Sequence, residues 1–276
     1  MADQLNQVFF PSNYTELFAA WDRFPHAVPY AGGTGLIREQ GGQILELPPV
    51  ILSLEDLDEM HRVSRSERYL EIGAMTKLSR ITGLGKIVPS ALRHCLENIA
   101  GIQLRNLATI GGNICFPDRR LDCPAVLTAL DAQYELRTSQ TSRWVSASRF
   151  FTDPGPTVLN PKEILTRIRI PLDYWDYSVY KKFSGRESRS RVAVFLVRTQ
   201  KNVLSDIRIV YKTDSILRDK DCESMLTGKQ LPLSRKVADE FVESWETFLE
   251  ESQTIDELFR KELINFIEVN VYNLLD

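Results

Sequence analysis

Apolar residues recur at the spacing of a helix in four parts of the chain. The first predicted helix has Leu17, Phe18 and Trp21 on one face. The third carries an aromatic stripe around Trp245, which is more typical of a packed core than of a cofactor site. The fourth opens with a capping box at Thr254–Glu257. The four helices are expected to begin at Ser12 or Asn13, at Pro89, at Ser234 and at Ile255, and residues 125–130 are also predicted to be helical.

Short apolar or alternating runs predict the strands. Residues 27–30 form a strand that leads into a glycine-rich turn, and residues 43–47 alternate before a Pro-Pro pair closes them. Residues 61–76 are typical of a hairpin with its turn at Ser66. Further strands are expected over residues 133–137, 164–170, 192–197 and 204–211.

This order of elements predicts an α+β chain of two domains. Residues 1–175 are expected to form a two-lobed domain, with a small α/β lobe over about 1–52 and a mixed α+β lobe over 53–175. Residues 176–276 are expected to form a C-terminal α+β domain with a small antiparallel sheet and helices. A chain of 276 residues is long enough for both domains.

Composition and charge limit the classes of function and partner that the chain is expected to have. The chain is 43% hydrophobic and 26% charged, as in ordinary globular proteins. Its net charge of −3 argues against nucleic acid as a partner, because phosphate backbones attract basic surfaces. No apolar run approaches the roughly 18 residues of a membrane span. The N-terminus lacks a signal-peptide pattern, so a cytoplasmic location is expected.

The cysteines and histidines disfavour a resident metal. The four cysteines include no Cys-x-x-Cys pair and do not have the spacing of an iron–sulfur site. The three histidines form no spaced pair of metal ligands. Any redox chemistry must therefore come from an organic cofactor.

Two glycine-rich turns carry most of the functional information, and each is expected to end a strand. They are Tyr-Ala-Gly-Gly-Thr-Gly-Leu at residues 30–36 and Ala-Thr-Ile-Gly-Gly-Asn-Ile at residues 108–114. A Gly-Gly pair permits positive φ and has no Cβ to obstruct a ligand, so successive amides can converge on a phosphate. Ordinary hairpin turns have the same composition. Neither turn has the Walker lysine or opens a long helix, which disfavours a P-loop and a Rossmann NAD site.

The wider sequence around the second turn is that of a known family. Arg-Asn-Leu-Ala-Thr-Ile-Gly-Gly-Asn at residues 105–113, followed by Asp122 and Cys-Pro-Ala-Val-Leu, resembles the FAD-binding subunit of the molybdenum hydroxylases. That family includes the medium subunit of carbon monoxide dehydrogenase and the flavin domain of xanthine dehydrogenase. The first turn is similar to the family's A-G-G-T-D-L element, and residues 71–76 match the strand that usually lies between the two turns.

The resemblance implies which residues bind FAD. It gives the pyrophosphate to Ala31, Gly32, Gly33 and Thr34 of the first turn and to Thr109, Gly111, Gly112 and Asn113 of the second. Gly35 also belongs to the site, but it stands where the family often has Asp, so a side-chain contact is missing. The segment Phe116–Arg120 replaces small residues and predicts a differently shaped approach to the flavin.

Two charged residues are implied on the flavin side of the site. Asp122 aligns with a flavin-side carboxylate, and its position before an apolar run is also that of a helix cap. Lys181 aligns with a lysine near the isoalloxazine ring, where a cation would raise the reduction potential. The sequence leaves open the alternative that Lys181 is a solvated strand residue.

The resemblance implies an oxidoreductase subunit with bound FAD. Electrons would come from a 2Fe–2S partner, itself reduced by a molybdopterin-binding partner that hydroxylates the substrate, and would leave to an acceptor such as NAD or a quinone. The main alternative is a docking or assembly subunit that has lost flavin binding, and Gly35 and the segment Phe116–Arg120 are its support. A self-sufficient flavin oxidase would need a substrate base that is not evident.

Overall fold

The computed structural model describes residues 6–40, 46–116, 121–152, 157–183, 191–251 and 255–275. The chain divides into two compact units. The first comprises Met1–Pro89, Leu96–Pro117 and Asp131–Leu172, and the second comprises Ser90–Cys95, Asp118–Leu130 and Asp173–Asp276. Both units combine helices with sheets, so the fold is α+β as expected. The domain boundary at 175 and the lobe boundary at 52 stay predictions.

The first unit contains a small parallel sheet of three strands. They are β1 (Gln7–Phe9), β2 (Val28–Tyr30) and β3 (Val50–Ser53), in the order β1-β3-β2. The prediction of a strand over 43–47 is wrong in its described part, because Glu46 and Leu47 are irregular and the strand begins at Val50. Residues 43–45 lie outside the described residues. The central strand of a parallel sheet is covered on both faces, so its residues are apolar in a continuous run. The run Val-Ile-Leu in β3 has this pattern and does not alternate between apolar and polar residues.

A five-stranded antiparallel sheet completes the strands of the first unit. Its order is β4-β5-β8-β6-β7, which places the longest strand at the centre. The hairpin and both later strands of this region are confirmed. The five strands are β4 (Val63–Arg65), β5 (Tyr69–Gly73), β6 (Gln133–Arg137), β7 (Ser142–Ser146) and β8 (Ile164–Pro171).

In the part of the chain that the structure describes, six α-helices lie before Phe116. The first buries Leu17, Phe18 and Trp21 and is capped by Asn13, whose side chain accepts from the amide of Glu16, as predicted. The helix after Pro89 ends earlier than predicted, and Gly101 instead precedes the next helix. The helices are α1 (Tyr14–Arg23), α2 (Thr34–Glu39), α3 (Leu78–Gly83), α4 (Ser90–Glu97), α5 (Ile102–Leu107) and α6 (Ile110–Cys115).

The second unit packs helices on a four-stranded antiparallel sheet of order β12-β11-β10-β9. Its strands are β9 (Tyr177–Phe183), β10 (Arg191–Gln200), β11 (Val203–Lys212) and β12 (Ile216–Leu217). Residues Ser90–Cys95 of α4 belong to this unit. Its other helices are α7 (Cys123–Ala129), α8 (Lys220–Ser224), α9 (Arg235–Glu251) and α10 (Glu257–Tyr272). The strands predicted at 192–197 and 204–211 are confirmed.

The aromatic stripe of α9 belongs to the core, as expected. Phe241, Trp245 and Leu249 are buried in one cluster with residues of α10 and the sheet. The start of α10 differs from the prediction, because Asp256 caps it by accepting from the amide of Phe259 at 2.9 Å. Thr254, the expected cap, lies outside the described residues.

The described residues contain no helix that is both long and apolar enough to cross a membrane. They also contain no group of three or more His, Cys, Asp or Glu residues that could hold a metal ion.

Candidate cofactor-binding site

Both glycine turns line one cavity of about 450 Å³ in the first unit. Residues 31–35 of the first turn form one part of its wall, and Thr109, Gly111 and Gly112 of the second turn form another. Apolar side chains from β2, β8 and the segment after β3 complete it. Asn113 is buried in α6 and is not among the lining residues. The fold therefore brings together two turns that are far apart in the sequence.

Gly32 joins the two turns through the backbone. A Cβ on Gly32 would stand 2.7 Å from the carbonyl carbon of Leu107 and 3.3 Å from Cα of Ala108, the first residue of the second turn. Real Cβ atoms do not approach backbone atoms at the shorter of these distances, so only glycine lets the turns meet here.

The first turn presents amides that have no acceptor within its helix. It follows β2 as predicted, and Gly33 precedes α2 with φ of 68°, in the left-handed region that favours glycine. No side chain caps α2. Since the first amides of a helix lack intrahelical partners, those of Thr34, Gly35 and Leu36 can donate to a ligand.

The second turn differs from the prediction. It follows α5 rather than a strand, and it opens α6 with Thr109 as the cap. Its amides already have protein acceptors, so it is not an open nest. The donors and their acceptors are Ile110 with the Thr76 carbonyl at 3.0 Å, Gly111 with the Ala74 carbonyl at 2.8 Å, Gly112 with Thr109 Oγ1 at 3.0 Å and Asn113 with the Thr109 carbonyl at 3.0 Å. A hydroxyl that accepts from an amide keeps its own proton, so Thr109 can still donate to a ligand.

The structure separates the roles of Gly111 and Gly112. Gly111 is buried, and a Cβ there would stand 2.7 Å from Cβ and 2.8 Å from the carbonyl oxygen of Ala74. Gly112 is exposed, and a Cβ there would meet only Thr109 Oγ1, at 2.9 Å. Gly111 is therefore needed for packing, whereas Gly112 leaves room on the cavity side.

Two aromatic residues of the cavity were not anticipated as site residues from the sequence. The ring of Tyr30 lies against Gly33, whose Cβ would be 2.7 Å from the tyrosine Cζ. The ring of Phe116 lies against Gly35, whose Cβ would be 2.5 Å from Cδ2 and 2.9 Å from Cζ. The two departures from the family pattern, at 35 and 116, are thus parts of one contact. Residues 117–120 of the unusual segment lie outside the described residues.

Among the described residues that line the cavity there is no lysine or arginine, but there are two carboxylates, Glu39 and Glu163. Glu163 accepts two hydrogen bonds from Arg143, both at 2.7 Å, and one from the amide of Asn160 at 2.9 Å. The hydrogen bond from Arg143 lowers the pKa of Glu163. Amide and hydroxyl groups are therefore the donors available to a phosphate.

In the second unit, Asp122 pairs with Lys182 and not with Lys181. Asp122 is 2% exposed and lies at the start of α7, as the cap reading predicts, but its side chain makes no capping hydrogen bond. It instead accepts from Lys182 Nζ at 2.7 Å and from Tyr180 Oη at 3.3 Å. Lys181 is exposed on β9, with Nζ 5.0 Å from the centre of the Phe183 ring. Alternation along a strand puts neighbouring side chains on opposite faces, so the two lysines point away from each other.

Burial determines the protonation of the groups around Asp122. It raises the pKa of the Tyr180 phenol and of the Cys95 thiol, and the neighbouring Cys123 and Asp122 raise both further. In the first unit, burial raises the pKa of Cys115 to about 12. The thiols of Cys95 and Cys115 therefore stay protonated at neutral pH and do not act as nucleophiles.

The fold matches that of chains in two solved structures. Reconstituted CO dehydrogenase from Oligotropha carboxidovorans contains a chain that matches with a TM-score of 0.80 at 22% identity, over 100% of this chain and 98% of that chain. Quinoline 2-oxidoreductase from Pseudomonas putida 86 matches with a TM-score of 0.80 at 21% identity, over 98% and 95%. At these identities the likeness concerns the fold.

Sequence relatives and a family model show the family. The glyceraldehyde dehydrogenase medium chain of Sulfolobus acidocaldarius is 34% identical over 210 residues, which is 74% of each chain. The nicotine 6-hydroxylase medium subunit of Paenarthrobacter nicotinovorans is 30% identical over 218 residues, which is 75% of each chain. Residues 4–173 match the model of the FAD binding domain in molybdopterin dehydrogenase, and the chain belongs to this family. The expected family, its FAD cofactor and the oxidoreductase assignment are confirmed.

Proposed function

We propose that this chain is the electron-transfer subunit of a molybdopterin-dependent hydroxylase or dehydrogenase, with the FAD pyrophosphate bound in the glycine-lined cavity. The observation that carries the proposal is the convergence of both turns on one cavity, which is lined by the first residues of α2 and by Thr109, the cap of α6. A volume of about 450 Å³ is in the range of cofactor and ligand pockets.

The residues of the cavity fit a pyrophosphate. The amides of α2 supply donors, and the hydroxyls of Thr34 and Thr109 can add more. Gly32 and Gly33 let the first turn pack in place, because a Cβ on either would collide with other atoms of the protein. Ala31 also lines the cavity. Gly111 packs against Ala74 and so holds the second turn in place. Asn113 stays a proposed contact from the resemblance.

We propose the flavin-side roles of Asp122 and Lys181 on the resemblance alone. Lys182 is a competing cation, because it holds the buried Asp122 carboxylate at 2.7 Å. If Asp122 faces the flavin, the charge that accompanies it is that of Lys182. The two lysines can be separated experimentally because they lie on opposite faces of β9.

Bound FAD supplies reversible electron transfer. The relatives named above are medium chains or medium subunits, which supports a place in a hetero-oligomer. We propose a 2Fe–2S partner as electron donor, a molybdopterin-binding partner as the site of hydroxylation, and NAD or a quinone as the acceptor. The cytoplasmic location stays a prediction.

Purification from the native source tests this function. The chain is expected to co-purify with an iron–sulfur partner and a molybdenum-containing partner, with one FAD for each copy of the chain. Repeated isolation of the chain alone would contradict the proposed complex. Isolation in the complex without flavin would favour the docking or assembly role. The comparisons do not favour that role, and the packing of Phe116 on Gly35 offers another reason for both residues.

A further inference from the structure

Phe116 connects the second glycine turn to the first. It follows α6 directly, and its amide donates to the carbonyl of Gly112 at 3.1 Å. Its ring packs against Gly35, inside the first turn of α2, and also lines the cavity. One side chain therefore links the helix of the second turn to the helix of the first.

Two glycines of the first turn contact residues that begin or flank the second turn. Gly32 meets the backbone of Leu107 and Ala108, and Gly35 meets the Phe116 ring. Gly33 and Thr34 lie between these contacts in the sequence. The first contact is between backbones and does not vary with side-chain size, whereas the second depends on a large rigid ring and on the absence of a Cβ at position 35.

We propose that Phe116 is a positioning residue that determines specificity for the diphosphate of FAD. Seated on Gly35, its ring fixes the spacing between the two turns, so that a ligand with two linked phosphates engages both. A flavin with one phosphate reaches one turn only and does not depend on that spacing. The inference rests on the proposed function and adds a reason for the chain's unusual residues at 35 and 116.

The test compares FAD and FMN binding to the full-length chain after bound flavin is removed. We expect Phe116→Ala to weaken FAD about tenfold, equivalent to about 1.4 kcal/mol, with FMN binding unchanged. Phe116→Leu keeps an apolar side chain of similar reach and is expected to restore most of the FAD affinity. Fluorescence titration gives both dissociation constants, and thermal unfolding checks that each variant is folded.

Gly35→Ala provides the second half of a double-mutant cycle. Its Cβ would displace the Phe116 ring, so Gly35→Ala alone is expected to weaken FAD selectively. In the Phe116→Ala background the ring is gone, and the same change is expected to have little further effect. Additive effects would overturn the inference, and so would equal losses of FAD and FMN affinity. If wild type binds FAD, and both variants prefer FAD over FMN as strongly as wild type does, the role of Phe116 is contradicted while the proposed function stands. Failure of wild type to bind FAD would instead contradict the proposed function.

Discussion

The adjacent glycines of the second turn are expected to differ sharply in their tolerance of a methyl group. Gly111→Ala places a Cβ 2.7 Å from Cβ and 2.8 Å from the carbonyl oxygen of Ala74. Gly112→Ala is the matched control, because its Cβ meets only the side-chain hydroxyl of Thr109. The two variants make the same chemical change one residue apart.

The magnitude follows from what can move. Gly111 donates its amide to the Ala74 carbonyl at 2.8 Å, so relief of the clash also strains that hydrogen bond. Overpacking costs roughly 1–3 kcal/mol and a backbone hydrogen bond about 1 kcal/mol, while alanine gains about 1 kcal/mol over glycine in α6, so Gly111→Ala should lose about 1–3 kcal/mol. At Gly112, the gain of about 1 kcal/mol from alanine in a helix offsets the adjustment of Thr109. Gly112→Ala should therefore stay within about 1 kcal/mol of wild type.

Thermal unfolding of the flavin-free chain measures the difference. Each kcal/mol lowers the melting temperature of a protein of this size by roughly 2–4 °C, so Gly111→Ala should melt several degrees below Gly112→Ala. Removing the flavin first prevents cofactor binding from masking the loss. Equal melting temperatures, or a larger loss in Gly112→Ala, would refute the separation of roles.

Two further predictions concern charged groups. Lys181→Ala should lower the flavin midpoint potential by about 30 mV, or about 1.4 kcal/mol for two electrons, with FAD affinity unchanged. Potentiometric titration of Lys181→Ala, with Lys182→Ala as the control, measures the potential of each variant. An unchanged potential in Lys181→Ala would mean that Lys181 is a solvated strand residue. A shift in Lys182→Ala alone would assign the effective charge to the pair of Lys182 and Asp122. Glu163→Gln should destabilise the fold at neutral pH, because Arg143 lowers the pKa of Glu163 in the folded state. That stabilisation is complete above the unfolded value of 4.5 and is lost as the pH falls through the folded value, so wild type and variant should converge in acid. A difference in unfolding free energy that does not change with pH would contradict this.

The sequence predicted the features of the fold that depend on local pattern. The buried stripe of α1, the hairpin of β4 and β5 and the core face of α9 each follow from spacing within one element. The central strand β3 was misplaced because its apolar run is continuous, and such a run has no period to identify it. The helix α6 was missed because a Gly-Gly pair disfavours helix, and only the Thr109 cap indicated one.

The site was predicted only in part, because its remaining features depend on tertiary contacts. The two turns were identified from composition and motif, and the cavity confirms that they meet. The packing of Phe116 on Gly35 joins residues from separate turns and has no signal in a single sequence. The pairing of Asp122 with Lys182 could have been anticipated in part, since alternation along β9 puts only one of the two adjacent lysines on any given face.

FAD binding to wild type and to Gly112→Val is the most direct test of the central claim. Wild type, titrated with FAD after the bound flavin is removed, is expected to bind one FAD per chain. Gly112→Val is expected to unfold near the wild-type temperature, since position 112 is exposed, and to retain no flavin, since its side chain would project where the pyrophosphate is proposed to lie. Full flavin content in folded Gly112→Val, or no FAD binding by wild type, would contradict the account.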